Sequence, residues 1–161
     1  MSTVYIETSI ISYLRQQSSS QIIVAARQLL TSHWWIHERN QYELVISQYV
    51  IDEATAGNEK LAAERLALLE NIPLLPHSPE IVALAEEIMA LGILPMKAQV
   101  DALHIATVAY HQIDYLLTWN CKHIANAKIL PKIHSLFIKR GIPIPVICTP
   151  EELLGDDSEK I

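Results

Sequence analysis

Short apolar runs alternate along this chain with longer stretches whose apolar residues recur at helical spacing. Val4-Tyr5-Ile6 reads as a short buried strand, and a helix follows from Ser9 to about Gln16. Gln21–Glu38 carries Ile22, Ala25, Ala26, Leu29, Leu30 and Trp34 on one helical face. Leu44-Val45-Ile46 is a second strand; Ser47 is placed to cap the next helix, which ends near Gly57. Glu59–Asn71 predicts another helix, and Ile72–Leu75 a brief extended piece. Ser78-Pro79-Glu80 opens a helix in the preferred order of cap, proline and acid. That helix breaks at Gly92–Pro95, and Lys97–Gln112 predicts a long, mostly apolar one. Tyr115–Thr118 is a strand, Lys122–Lys139 is largely helical, and Ile144–Ile147 is a last strand, at an edge because of Pro145. This alternation predicts an α/β fold: a mostly parallel sheet with helices on both faces.

The bulk properties narrow the picture. The chain has 161 residues, half of them apolar, which suits one domain with one core, over residues 1–155, and a loose acidic tail over 156–161. The start, Met1–Glu7, lacks the basic region of a secretory leader, and no stretch approaches the roughly 18 apolar residues of a membrane span. The two cysteines, Cys121 and Cys148, form no CxxC clip and read as ordinary thiols in a reducing cytoplasm. The net charge of −6 argues against dominant nonspecific nucleic-acid binding. Yet Tyr115–Pro150 contains no acid and holds Lys122, Lys128, Lys132, Lys139 and Arg140, a local basic region.

In a doubly wound sheet, sites form beyond the carboxyl ends of the strands. Glu7 follows the first strand directly, Asn120 lies two residues after the strand ending at Thr118, Glu53 is on the helix after the second strand, and Asp101 stands near the start of the long apolar helix. Crowded carboxylates repel and their pKa values rise unless a cation joins them. Mg²⁺ or Mn²⁺ would supply that charge through oxygen ligands, activate a bound water and stabilise an attacked phosphate. Taken singly, each residue also has a plainer role, as a dipole-favoured first-turn acid, a solvated helix acid, a paired acid or a turn asparagine.

Other chemistries find little support. None of the seven histidines forms HExxH, and no P-loop, GxGxxG or GxSxG occurs. His104, one turn after Asp101, reads as a packed or site-lining residue. Trp34-Trp35 and the apolar face of helix Ser78–Leu91 read as core or partner-facing surface.

Four blocks together resemble the PIN domain family. Tyr5-Ile6-Glu7-Thr8-Ser9-Ile10-Ile11 is similar to its opening, Ser47–Ala54 to its second block, Asp101-Ala102-Leu103-His104-Ile105-Ala106 to its third and Leu116-Leu117-Thr118-Trp119-Asn120 to its fourth. Ile147–Leu154 resembles the ends of VapC-like toxins. The resemblance implies a three-layer α/β/α sandwich with about five strands. It also implies a cytoplasmic Mg²⁺- or Mn²⁺-dependent endoribonuclease, the toxin of a type II toxin–antitoxin pair, acting as a homodimer and blocked by a small antitoxin. Glu7, Glu53 and Asp101 would hold the metal, with Asn120 in support; Thr8, Ser9 and Thr118 would orient ligands, and Lys122, His123, Lys128 and Lys132 would receive RNA. Two positions depart from the family pattern, because Glu7 and Asn120 stand where Asp is usual. Three carboxylates rather than four imply weaker metal binding, a single ion or slow turnover. They also leave an alternative: a degenerate, non-catalytic module that binds RNA or a protein partner.

Overall fold

A computed structural model describes residues 1–155 of the chain; the expected acidic tail, 156–161, lies outside the described residues. Four parallel strands form the sheet: β1 (Thr3–Ile6), β2 (Glu43–Val45), β3 (Tyr115–Leu117) and β4 (Val146–Cys148), in the order β2-β1-β3-β4. The register sets Tyr5 beside Val45 and Leu116, and Leu117 beside Cys148. The expected fifth extended piece is reduced to an isolated parallel bridge, Ile46 to Leu74. Among the described residues seven α-helices flank the sheet: α1 (Thr8–Arg15), α2 (Ile22–His33), α3 (Gln48–Thr55), α4 (Glu59–Leu68), α5 (Pro79–Ala90), α6 (Gln99–Tyr110) and α7 (Leu130–Arg140). This is the three-layer α/β/α arrangement that the alternation predicts.

β1 is central, so Val4, Tyr5 and Ile6 are fully buried, and their uninterrupted apolar run is what a two-faced burial requires. Around them pack Ile10 and Ile11 of α1, Val50 and Ala54 of α3, Ile88 of α5, Ile105 and Val108 of α6, and Ile133 and Phe137 of α7. α5 lies on α6, while α1 contacts α2, α3 and α4. The chain runs from β1 to β2 on one side and later to β3 on the other, so the strand order reverses between the parallel β1 and β3. Such a switch point opens a crevice at the strands' carboxyl ends.

Several boundaries differ from the sequence expectation for identifiable reasons. Helix formation after β3 is delayed to Leu130. Asn120 Oδ1 accepts from the His123 amide, and Asn126 Oδ1 from the Lys128 amide, both at 2.9 Å. These side chains offer the backbone an alternative to the helix, which starts only where Pro131 falls in its first turn. β4 begins at Val146, not Ile144: Pro145 has no amide to donate, whereas the Val146 amide reaches the Asp114 carbonyl at 3.0 Å. α2 gives way to a π turn over Trp34–Glu38, where the buried Trp34 indole donates to the Leu153 carbonyl at 3.1 Å. Ser47 does not cap α3 with its side chain, having a different partner described below. At α5 the Ser78 cap forms as expected, accepting from the Glu80 amide.

Candidate metal centre

Glu7 leaves β1 at the switch point, with its own amide still on the ladder to the Leu117 carbonyl at 3.1 Å. Its side chain then turns back to cap α1. Oε2 accepts from the Ser9 amide at 3.0 Å, and Oε1 accepts from Ser9 Oγ at 2.6 Å and from the Thr118 hydroxyl. This return to its own helix accommodates the methylene by which Glu exceeds Asp. The two hydroxyls are themselves held by the β3 exit: the Trp119 amide donates to Ser9 Oγ at 2.8 Å and the Asn120 amide to Thr118 Oγ1 at 2.9 Å. Glu7 is thereby fixed between the ends of two strands, and only 4% of it is exposed.

Glu53 enters from α3. Its Oε1 accepts from Thr8 Oγ1 at 2.7 Å and pairs with His104 Nε2 at 2.5 Å. His104 is fully buried on α6, and its other ring nitrogen meets the Tyr5 hydroxyl at 2.7 Å. That hydroxyl also meets Ser47 Oγ at 2.6 Å, which is why Ser47 is lost to α3 as a cap. Burial by itself would pull the His104 pKa down. The hydrogen bond that His104 donates to Glu53 and the charges of Glu7, Glu53 and Asp101 outweigh it, and the pKa is raised. For Glu53, burial pushes upward, but the His104 bond and charge and the Thr8 bond win, and the carboxyl is lowered. Both shifts favour the charged pair. The Tyr5 hydroxyl is raised by burial first, so it stays protonated and can serve as a donor.

Asp101 sits in the first turn of α6, where the helix dipole favours an acid. Its Oδ1 accepts from Asn120 Nδ2 at 3.1 Å, and its Oδ2 lies 3.2 Å from His123 Nδ1. Burial pushes Asp101 up first; His104 opposes, the charges of Glu7 and Glu53 add, His123 opposes, and the net shift is upward. Asn120 therefore spends its amide nitrogen on Asp101 and its oxygen on the turn to His123. In this arrangement it bridges an acid and does not present its carbonyl as a ligand.

The donors suit a divalent cation. Ligand atoms of Glu7, Glu53 and His104 all lie within 4.8 Å of one another. Glu7 is buried, yet among the described residues it has no basic side chain at ion-pair distance. A buried carboxylate facing two others without a full counter-charge is the situation a dication relieves. Asp101 stands outside the 4.8 Å set but close enough for the charges of Glu7 and Glu53 to shift it. The centre thus differs in detail from the expected Glu7–Glu53–Asp101 set, with an imidazole inside it and the third acid beside it.

The profile of the PIN domain matches residues 4–128, a span that contains all of these groups. The chain belongs to the PIN domain family. Its fold is similar to that of the VapC20 toxin of Mycobacterium tuberculosis, a sarcin-ricin loop cleaving toxin, at 14% identity and a TM-score of 0.58, over 74% of this chain and 92% of that one. It is also similar to a chain of VapBC2 from Rickettsia felis, solved bound to a DNA fragment from its promoter. There the identity is 15% and the TM-score 0.53, over 91% of this chain and 98% of that one. Comparison with curated proteins finds no match.

Of the residues expected at the site of this PIN domain, hydrogen bonds join Glu7, Ser9, Thr118, Asn120 and Asp101 in one network and Thr8 with Glu53 in another; the sequence expectation included neither Tyr5 nor Ser47 among them. The available signal was a hydroxyl-bearing aromatic in the middle of an otherwise aliphatic strand, since a buried tyrosine hydroxyl needs a partner. His123 pairs with Asp101, so it is committed to the centre before any phosphate arrives. Lys122, Lys128 and Lys132 are exposed and have no ion pair with the carboxylates among the described residues.

Proposed function

We propose that this PIN domain is a metal-dependent endoribonuclease, the toxin of a type II toxin–antitoxin pair. The observation that carries the reading is the convergence of the buried Glu7 with Glu53 and His104 at the sheet's switch point, where among the described residues Glu7 has no basic side chain at ion-pair distance. Glu7 and Glu53, with Asp101 beside them, would hold Mg²⁺ or Mn²⁺, while His104, both ring nitrogens engaged, holds Glu53 in place. Bound there, the ion supplies a water of lowered pKa and charge stabilisation at the scissile phosphate. Ser9 and Thr118 fix the Glu7 carboxylate, Thr8 and His104 fix Glu53, and Asn120 with His123 fixes Asp101. Preset ligand geometry of this kind spares reorganisation when substrate binds. The exposed Lys122, Lys128 and Lys132 receive the RNA backbone as point charges, with His123 kept on Asp101. The enzyme works in the cytoplasm as a homodimer and is held inactive by a cognate antitoxin. No helix among the described residues is long and apolar enough to cross a membrane.

Asp101→Ala is expected to abolish RNA cleavage that Mg²⁺ or Mn²⁺ supports and EDTA stops. Equal cleavage by that variant defeats the assignment. A second reading, a non-catalytic PIN module that binds RNA or a protein partner, draws on Asn120, which adds no charge and is turned toward Asp101. Calorimetric titration with Mn²⁺ separates the two, because the non-catalytic module predicts no binding that depends on Glu7, Glu53 or Asp101.

A further inference from the structure

A cleft of about 270 Å³ adjoins the metal centre, with Ser47, Tyr49, Leu75, Pro76, His77 and Ile81 in its wall. Its connection to the centre is physical. Tyr49 lies one helical turn before Glu53 on α3, so the two side chains share a face. The Tyr49 ring packs edge-on against His104, with centroids 6.4 Å apart at 85°, and His104 holds Glu53. Ser47 belongs to both places, since it lines the cleft and binds the Tyr5 hydroxyl.

The cleft is also built in advance. Its outer wall, the segment after Leu74, is pinned to β2's extension by Leu75 N to the Ile46 carbonyl at 2.8 Å and Ile46 N to the Pro73 carbonyl at 3.0 Å. A third bond joins His111 Nε2 and the Pro76 carbonyl at 2.8 Å. At the mouth, the Tyr49 and His77 rings meet edge-on, with centroids 6.2 Å apart at 76°, and the Tyr49 hydroxyl lies 3.3 Å from His77 Nδ1. Leu75, Pro76 and Ile81 provide an apolar wall. Two partly exposed aromatic rings over an apolar wall, with a hydroxyl and an imidazole at the rim, match a flat heterocycle that carries hydrogen-bonding edges. Single-stranded RNA is read in this manner, by stacking a splayed base and bonding its edge.

We propose that this cleft takes the nucleobase next to the scissile phosphate and sets the base preference of cleavage. The proposal rests on the ribonuclease reading for its substrate. Tyr49 stands one helical turn from Glu53 on the same face of α3, which sets the cleft beside the metal centre. Stacking on Tyr49 supplies affinity, and the Tyr49 hydroxyl and His77 supply discrimination.

The test uses free nucleosides, which carry no phosphate and need no metal. Adenosine, guanosine, cytidine and uridine are titrated separately into the ¹⁵N-labelled protein in EDTA. At least one is expected to shift the Tyr49, Leu75 and His77 amides saturably. Tyr49→Ala should weaken that binding about tenfold, whereas Tyr49→Phe should stay within about twofold, since the stacking ring remains. No saturable shift with any nucleoside overturns the proposal, as does equal binding by Tyr49→Ala. The second arm is Mn²⁺-dependent cleavage of RNAs that differ only in the base beside the cut. Tyr49→Ala should flatten the preference, and an unchanged preference also overturns the proposal. Nucleoside binding by a wild type that cleaves no RNA would leave the cleft standing and remove the ribonuclease reading instead.

Discussion

Tyr5→Phe deletes a single oxygen from the centre of the molecule and leaves the ring in place. Tyr5 is fully buried, so no water replaces its hydroxyl. Two groups lose a partner together: Ser47 Oγ, bonded at 2.6 Å, and His104 Nδ1, bonded at 2.7 Å. Both are also buried, Ser47 with 3% of its surface exposed and His104 with none. A buried polar group left unsatisfied costs about 1–3 kcal/mol, so the variant should lose about 2 kcal/mol of stability. In a domain of this size that lowers Tm by about 6 °C. Urea unfolding should show the loss in the midpoint with the slope unchanged. A second consequence follows from the chain Tyr5–His104–Glu53. With its Nδ1 partner gone, His104 holds Glu53 less firmly, and Mn²⁺ affinity should fall about tenfold, as when other outer partners of metal ligands are removed. Adding Ser47→Ala removes one of the orphaned groups, so the double variant should be less destabilised than the sum of the singles. Calorimetry on the folded variants separates binding from stability. A Tyr5→Phe protein that unfolds within about 0.5 kcal/mol of wild type and binds Mn²⁺ equally well would refute the network's role, because that difference is no more than a surface substitution produces.

Asn120→Asp places a fourth carboxylate against Asp101 Oδ1, where an amide now donates at 3.1 Å. Without metal the variant should melt below wild type from like-charge repulsion; with Mn²⁺ its melting point should rise by more than wild type's does. Cys148 is buried and its pKa is pushed up to about 12, by burial first and by the charge of Glu152 second. A thiol reagent at pH 8 should therefore spare Cys148 in the folded Cys121→Ser variant and label it fully in urea. Because the folded pKa exceeds the unfolded value near 9, this thiol's contribution to stability is complete below about pH 9 and declines as pH rises toward 12. Gly141 ends α7 in the left-handed region, at φ 67°, with open space around it. Gly141→Ala should cost about 1 kcal/mol through backbone conformation alone, measured by urea unfolding, and Gly141→Asn should cost less.

How much of this was readable from the chain differs by feature. The alternation of apolar runs was enough for the parallel sheet, because a strand buried on both faces must be continuously apolar, as Val4–Ile6 and Leu116–Leu117 are. The helix start at Ser78 was also legible, since a cap is a local matter of a few residues. Grouping Glu7, Glu53, Asp101 and Asn120 took the rule that sites gather at strand ends together with the four blocks that resemble the family, since each residue alone also fits a plainer role. What those residues do to one another lay beyond local pattern. That Asn120 is spent on Asp101 and the His123 turn depends on the approach of the β3 exit to α6, from 19 residues away. That Ser47 serves Tyr5 instead of capping α3, and that Tyr5 props His104 against Glu53, depends on three elements meeting across separations of 42 to 99 residues. Period and propensity describe what a segment does by itself. Which hydroxyl satisfies which buried nitrogen is settled only once the core has closed and excluded the water that would otherwise have bonded both.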